Sequence, residues 1–241
     1  MSIDKNAFYK YNETRALAGY RSAWLVKHPN TTKFSLIGAT ESVPYVFGDK
    51  GTLEFNLLQS PVIGQVEDKS TLEAVEIEVL HHRDNAYRYE KLKGQTLEFM
   101  SINAEMVGYK FVGTLDYRPN TAESDVHRAT VTVTPMSAQA TPVYDARPYI
   151  METLCFNSNI PATIKVGDEI DLSVAQITTP TVTAVKISGE NNTESDATSS
   201  LVTTNIKEVT ISTAGLYAIT VSDSAEQYAS WTTTVYVESA N

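Results

Sequence analysis

The stretch LEAVEIEVLHHRDNAYRYEKLKGQTLEFMSI, residues 72–102, decides the fold, because its hydrophobic period changes twice within it. In VEIEV the apolar Val75, Ile77 and Val79 alternate with Glu76 and Glu78, the two-residue period of a strand with one dry face and one wet face. DNAYRYEKLK then breaks the alternation with helix-forming residues. Asp84 suits an N-cap and Gly94 sits where a C-terminal cap belongs, so a helix is predicted over Asp84 to Lys93. Tyr87 and Lys91 share one helical face, as do Tyr89 and Lys93. QTLEFMSI returns to a strand pattern. The helix is therefore expected to connect two strands, close one side of a sheet layer and turn its charges to solvent. His81 and His82 are neighbours at a strand end, where successive side chains diverge, so they are not expected to share a metal.

Working outward, residues 1–155 read as mostly strand, with TKFSLIG (32–38), SVPYVFG (42–48), TLEFNLL (52–58), GYKFVGTLDY (108–117) and HRATVTVTP (127–135) between Gly, Asn, Asp and Pro breaks. Composition shifts near residue 155. Residues 1–155 carry 16 Lys+Arg against 19 Asp+Glu, a net of -3, while residues 156–241 carry 3 against 10, a net of -7. Prolines at 142, 148 and 161 mark the connection. Two domains are expected, 1–155 and 156–241, with the connecting segment around 138–160. The second reads as about seven short strands, from ATIKV (162–166) to SWTTTVYVE (230–238), the density of a small β-sandwich. Within it STAGLYAITVSD, with Gly215 and Tyr217, resembles the corner before the penultimate strand of immunoglobulin-like domains. Ile219 stands where a disulfide cysteine would be, which resembles the cysteine-free modules of bacteria and phages.

Composition narrows the function. A net charge of -10 without a basic, aromatic-laced run argues against tight nucleic-acid binding. A lone Cys155 and a start without an apolar run predict synthesis in a reducing cytoplasm, and no apolar run is long enough to span a bilayer. No nucleophile elbow, P-loop, dinucleotide fingerprint or zinc motif occurs, so no enzyme, cofactor or metal is expected. GDEID (167–171) could offer oxygen ligands to calcium, but reads as a turn opening a strand. Thirteen tyrosines could furnish a sugar platform or simply pack.

The order of elements from residue 72 to 136 is EAVEIEVLH, the helix, QTLEFMSI, a long GYKFVGTLDYRPN, a polar AESDVHR and a closing ATVTVTPMSA. It resembles the tail tube protein, or major tail protein, of long-tailed bacteriophages with non-contractile tails, over most of residues 15–140. Some members of that family also carry a C-terminal immunoglobulin-like domain. The resemblance implies a mainly β fold, a β-sandwich or barrel with one short helix followed by an immunoglobulin-like sandwich. It also implies a virion protein, made in the host bacterial cytoplasm, that joins copies of itself in rings, usually hexameric, stacked into a hollow tube. Tape measure and tail terminator proteins would be further partners, and DNA would pass only in transit. Glu76 and Glu78 become candidates for a lumen wall that repels phosphate. FNLLQSPVIGQVEDKSTL (55–72) becomes the candidate loop between rings, with Pro61, Val62 and Ile63 at its apolar middle. The outer domain would make at most weak cell-surface contacts. A two-domain module binding cell-surface carbohydrate or protein is the alternative from another class, separable by its assembly state.

Overall fold

The structure is a computed structural model. It describes residues 22–38, 44, 47, 52–56, 63–67, 72–81, 83–103, 106–120, 127–137, 139–152, 160–172, 177, 180–189, 192–205 and 208–239. Among the described residues the protein is mainly β with one α-helix.

Strands β1 (Ala23–Lys27), β2 (Ser35–Leu36), β5 (Val75–Leu80), β6 (Thr96–Ile102), β7 (Gly108–Pro119), β8 (Arg128–Pro135) and β9 (Thr141–Val143) form an antiparallel sheet. Its order is β2-β1-β6-β7-β8-β5, with β9 beside the first residues of β7. Strands β3 (Thr52–Asn56) and β4 (Ile63–Glu67) pair with each other as a separate hairpin. Helix α1 (Arg83–Leu92) joins β5 to β6 and lies over one face of the main sheet. That face holds the larger core, with Trp24, Val26, Ile77, Phe99, Phe111, Leu115 and Val131 packed beneath Tyr89 and Leu92 of α1. On the opposite face a second cluster forms at the β1–β2–β6 corner, where Leu25, Leu36, Met100 and Ile102 meet Val143, Ala146 and Ile150.

Two expectations change here. The segment 55–72 is not one long loop, because Ile63–Glu67 forms β4 and pairs antiparallel with β3. AWLVK (23–27), absent from the expected strands, is β1, an inner strand buried along nearly its whole length. Burial on both faces makes such a strand an apolar run without alternation. Of the expected TKFSLIG strand, Ser35–Leu36 is regular. SVPYVFG lies mostly outside the described residues, although Phe47 bridges Leu72.

The C-terminal sheets are β10-β17-β16-β12-β13 and β11-β15-β14. Their ranges are β10 Thr163–Lys165, β11 Glu169–Asp171, β12 Thr181–Ser188, β13 Thr193–Asp196, β14 Leu201–Asn205, β15 Glu208–Ile211, β16 Gly215–Ser222 and β17 Trp231–Glu238. The chain crosses between the sheets so that β11, β14 and β15 form one layer and β10, β12, β13, β16 and β17 the other. That is immunoglobulin-like order, with β10 running parallel to the last strand. Ile164, Leu172, Val209, Ile211, Tyr217, Ile219 and Val235 fill the space between the layers. Each such burial stabilises the fold by ~1.5–3 kcal/mol relative to exposure.

Candidate functional site

Tyr217 is fully buried, and its hydroxyl donates to the Thr213 carbonyl at 3.1 Å and lies 2.5 Å from Thr213 Oγ1. This ties the start of β16 back across the turn from β15, the geometry that gives the tyrosine corner its shape. Gly215 just before it has φ 146°, and a side chain there would press within 2.7 Å of Lys186 Cε. Ile219 is fully buried in the core. In GDEID, Asp168 accepts the Lys165 amide at 2.8 Å and Gly167 adopts φ 87°, so the acidic group opens β11 from a tight turn.

Glu76 and Glu78 are exposed on β5, on the face opposite α1. The register sets Glu76 beside Thr132, with Asp116 on the far side of Thr132, and Glu78 beside Thr130, with Arg118 on the far side of Thr130. Arg128 reaches Glu78 at 2.8 Å, Lys27 reaches Glu98 at 2.8 Å, and Lys93 reaches Asp116 at 3.0 Å. Lys93 lifts in pKa through its bond to Asp116, and Asp116 drops through the same contact. The face therefore interleaves both signs of charge with threonines. A wall of negative charge alone is not what these strands present. Sequence reasoning missed the cations because the register that brings Arg128 to Glu78 links residues fifty positions apart.

Pro61 and Val62 lie outside the described residues, and Ile63 opens β4 opposite Asn56. His82 also lies outside them, while His81 pairs through Nδ1 with the Tyr117 hydroxyl. Among the described residues no group of three or more His, Cys, Asp or Glu could hold a metal, and no helix is long and apolar enough to cross a membrane.

The outward face of α1 carries the largest departure from expectation. It meets the C-terminal domain rather than solvent. Asp84 Oδ1 accepts the Thr234 amide at 3.1 Å and the Thr233 hydroxyl at 3.2 Å, both on β17. Glu194 on β13 accepts the Tyr87 hydroxyl at 3.0 Å and pairs with Lys91. Burial, then the bond to Glu194, pushes Tyr87 above the ordinary tyrosine range, so it remains a donor. Elsewhere Glu226 accepts the Thr32 hydroxyl and, at 3.0 Å, the Thr32 amide, which in that order hold its carboxyl below the usual range. Glu152 exchanges backbone bonds with Gln227 and Ala229 at 2.8 and 2.7 Å. Close to the Glu194 contact, Thr183, Val185, Ser195, Asp196 and Thr198 line an open groove of about 420 Å³.

These features define a class: a mainly β protein with a C-terminal immunoglobulin-like sandwich docked on helix α1. No family model matches the chain, and no curated protein matches it. Among solved structures it is similar to the N-terminal eight Ig domains of Down Syndrome Cell Adhesion Molecule isoform 1.30.30, at 9% identity and a TM-score of 0.27. The match covers 93% of this chain and 34% of that one. The immunoglobulin-like assignment accordingly rests on the strand order and not on that likeness.

Proposed function

We propose that the chain is a structural virion protein, a tail tube subunit of a long-tailed, non-contractile phage, which self-assembles into stacked rings around a channel for DNA. The observation that supports this reading is the inequality of the two faces of the main sheet. One face is covered by α1 and, beyond it, by the immunoglobulin-like domain. The other exposes Glu76, Glu78, Asp116 and Arg118 among threonines over its β5–β8–β7 part. A tube wall needs that division: a wet inner surface for passing DNA, and an outer surface that carries the extra domain. Internally balanced charges with hydroxyls hold no strong field for a phosphate backbone, so DNA would slide rather than bind. The subunit would assemble in the host cytoplasm and meet tape measure and tail terminator proteins at the ends of the tube.

The open groove beside β13 favours a second reading, a binding module for cell-surface carbohydrate or protein. Negative-stain electron microscopy of the purified chain at several concentrations, with its mass in solution, separates the two. Hollow tubes or closed rings with outward projections are expected. Compact particles of one or two chains at every concentration would favour the binding module.

A further inference from the structure

We propose that the larger sheet of the C-terminal domain, on its face turned away from the sandwich core, docks a protein segment that presents an arginine next to a large apolar side chain. The inference rests on the second reading above, which it deepens by naming the chemistry of the partner.

Glu194 and Asp196 lie two residues apart on β13 and so share a face. The register sets Ile187 of β12 opposite Glu194, and Val185 opposite Asp196. It carries Ile187 on to Leu216 of β16, and Leu216 on to Tyr236 of β17. Directly opposed residues share a face, so Glu194, Ile187, Leu216 and Tyr236 form one row, about 14 Å long over three strand gaps of ~4.8 Å. Tyr217, Val235 and Val237, the sequence neighbours of Leu216 and Tyr236, fill the core, which turns this row outward. Leu216 is 36% exposed and Tyr236 51%. The row is therefore acidic at one end and apolar at the other.

The acidic end is held in place. Glu194 Oε1 takes both contacts from α1, the Tyr87 hydroxyl at 3.0 Å and the Lys91 ammonium. Asp196 Oδ1 accepts the Thr198 amide at 2.9 Å, which keeps its carboxyl below the usual range and charged. Each carboxylate keeps a second oxygen for a ligand. Two carboxylates against Lys91 leave these three groups a net of -1, which one guanidinium neutralises and a divalent metal ion would overshoot. The net of -7 over residues 156–241 draws cations toward the domain. Arginine also fits by shape: its planar fork reaches two acceptors, and its methylene stem covers Val185 and Ile187 beside them. A neighbouring apolar side chain of the partner then covers Leu216 and Tyr236. The uncharged hydroxyls of a glycan would repay the desolvation of two carboxylates less well.

The experiment measures fluorescence anisotropy of short labelled peptides bearing arginine and leucine, lysine and leucine, or glutamate and leucine, and of labelled maltotriose, against the full chain. Melting temperatures check that each variant is folded. Saturable binding of the arginine peptide is expected, weakened about tenfold by E194Q/D196N and several-fold by Y236S, while the charge-matched E73Q/E238Q leaves it unchanged. The lysine peptide is expected to bind about threefold more weakly, and Y87F, which frees the Glu194 carboxylate to turn, to erase that preference. No saturable binding of the arginine peptide would overturn the inference. So would equal losses in the two double variants, or a glutamate peptide that binds as well. If maltotriose alone binds and E194Q/D196N abolishes it, the binding-module reading stands and the arginine inference falls. If no probe binds, both fall.

Discussion

His28 is a histidine whose charge is suppressed by its surroundings. Burial, and then the Arg88 guanidinium beside it, push its pKa down to about 3, so the ring is neutral and accepts from Arg88 through Nε2 at 2.9 and 3.1 Å. Arg88 continues to Ser35 Oγ at 3.0 Å, which binds α1 to the β1–β2 turn. Between the unfolded value near 6.5 and the folded value near 3 the unfolded chain holds a proton that the native ring refuses. Stability contributed here is therefore present above 6.5 and falls with pH through that window, by at most ~1.4 kcal/mol per unit. His28→Gln keeps an acceptor for Arg88 without a titrating ring, and is expected to flatten the fall in Tm between about pH 6 and 4. A slope unchanged from the parent would show that His28 does not carry it. Nothing in LVKHPN marks this residue in the sequence, since its partner lies sixty positions away. Tyr217 is the opposite case, because its hydrogen-bond partner is four residues upstream and the motif is local.

Helix α1 shows what an element discloses on its own and what it withholds. Asp84 near its start and Gly94 just past its end are local signals, and the helix runs from Arg83 to Leu92 against an expected 84–93. Gly94 adopts φ 72°, and its amide donates to Leu115 at 2.9 Å. A side chain there meets nothing within 4 Å, so the cost of Gly94→Ala is conformational alone, about 1 kcal/mol. Chemical denaturation should find that loss. A neutral result would mean that the turn relaxes to another conformation. Two of the strands that escaped the sequence reading share a cause. Inner β1 has no polar face, β13 (TESD) is exposed along its whole length, and neither produces an alternation.

At the scale of the molecule, the buried apolar clusters do not mix residues up to Ile150 with residues from Ile160 onward. The contacts that cross it are largely hydrogen bonds to carboxylates and backbone groups, so the relative placement of the domains depends on few residues. D84A/E194A removes the acceptors for Thr233, Thr234, Tyr87 and Lys91. Small-angle scattering of this variant under non-assembling conditions is expected to show a larger radius of gyration, with strand content by circular dichroism unchanged. An unchanged radius would mean that the Glu152 pairing and the Glu226 contact suffice to hold the domains.

By itself the sequence determined the β-rich class, helix α1, the immunoglobulin-like corner and the alternation that exposes Glu76 and Glu78, because each follows from periods and caps within about ten residues. The tertiary structure alone decided that Arg128 stands against Glu78, that β5 is an edge while β1 is interior, and that α1 faces a second domain instead of water. Those depend on strand order and register, which join residues far apart in the chain and leave no local pattern to read.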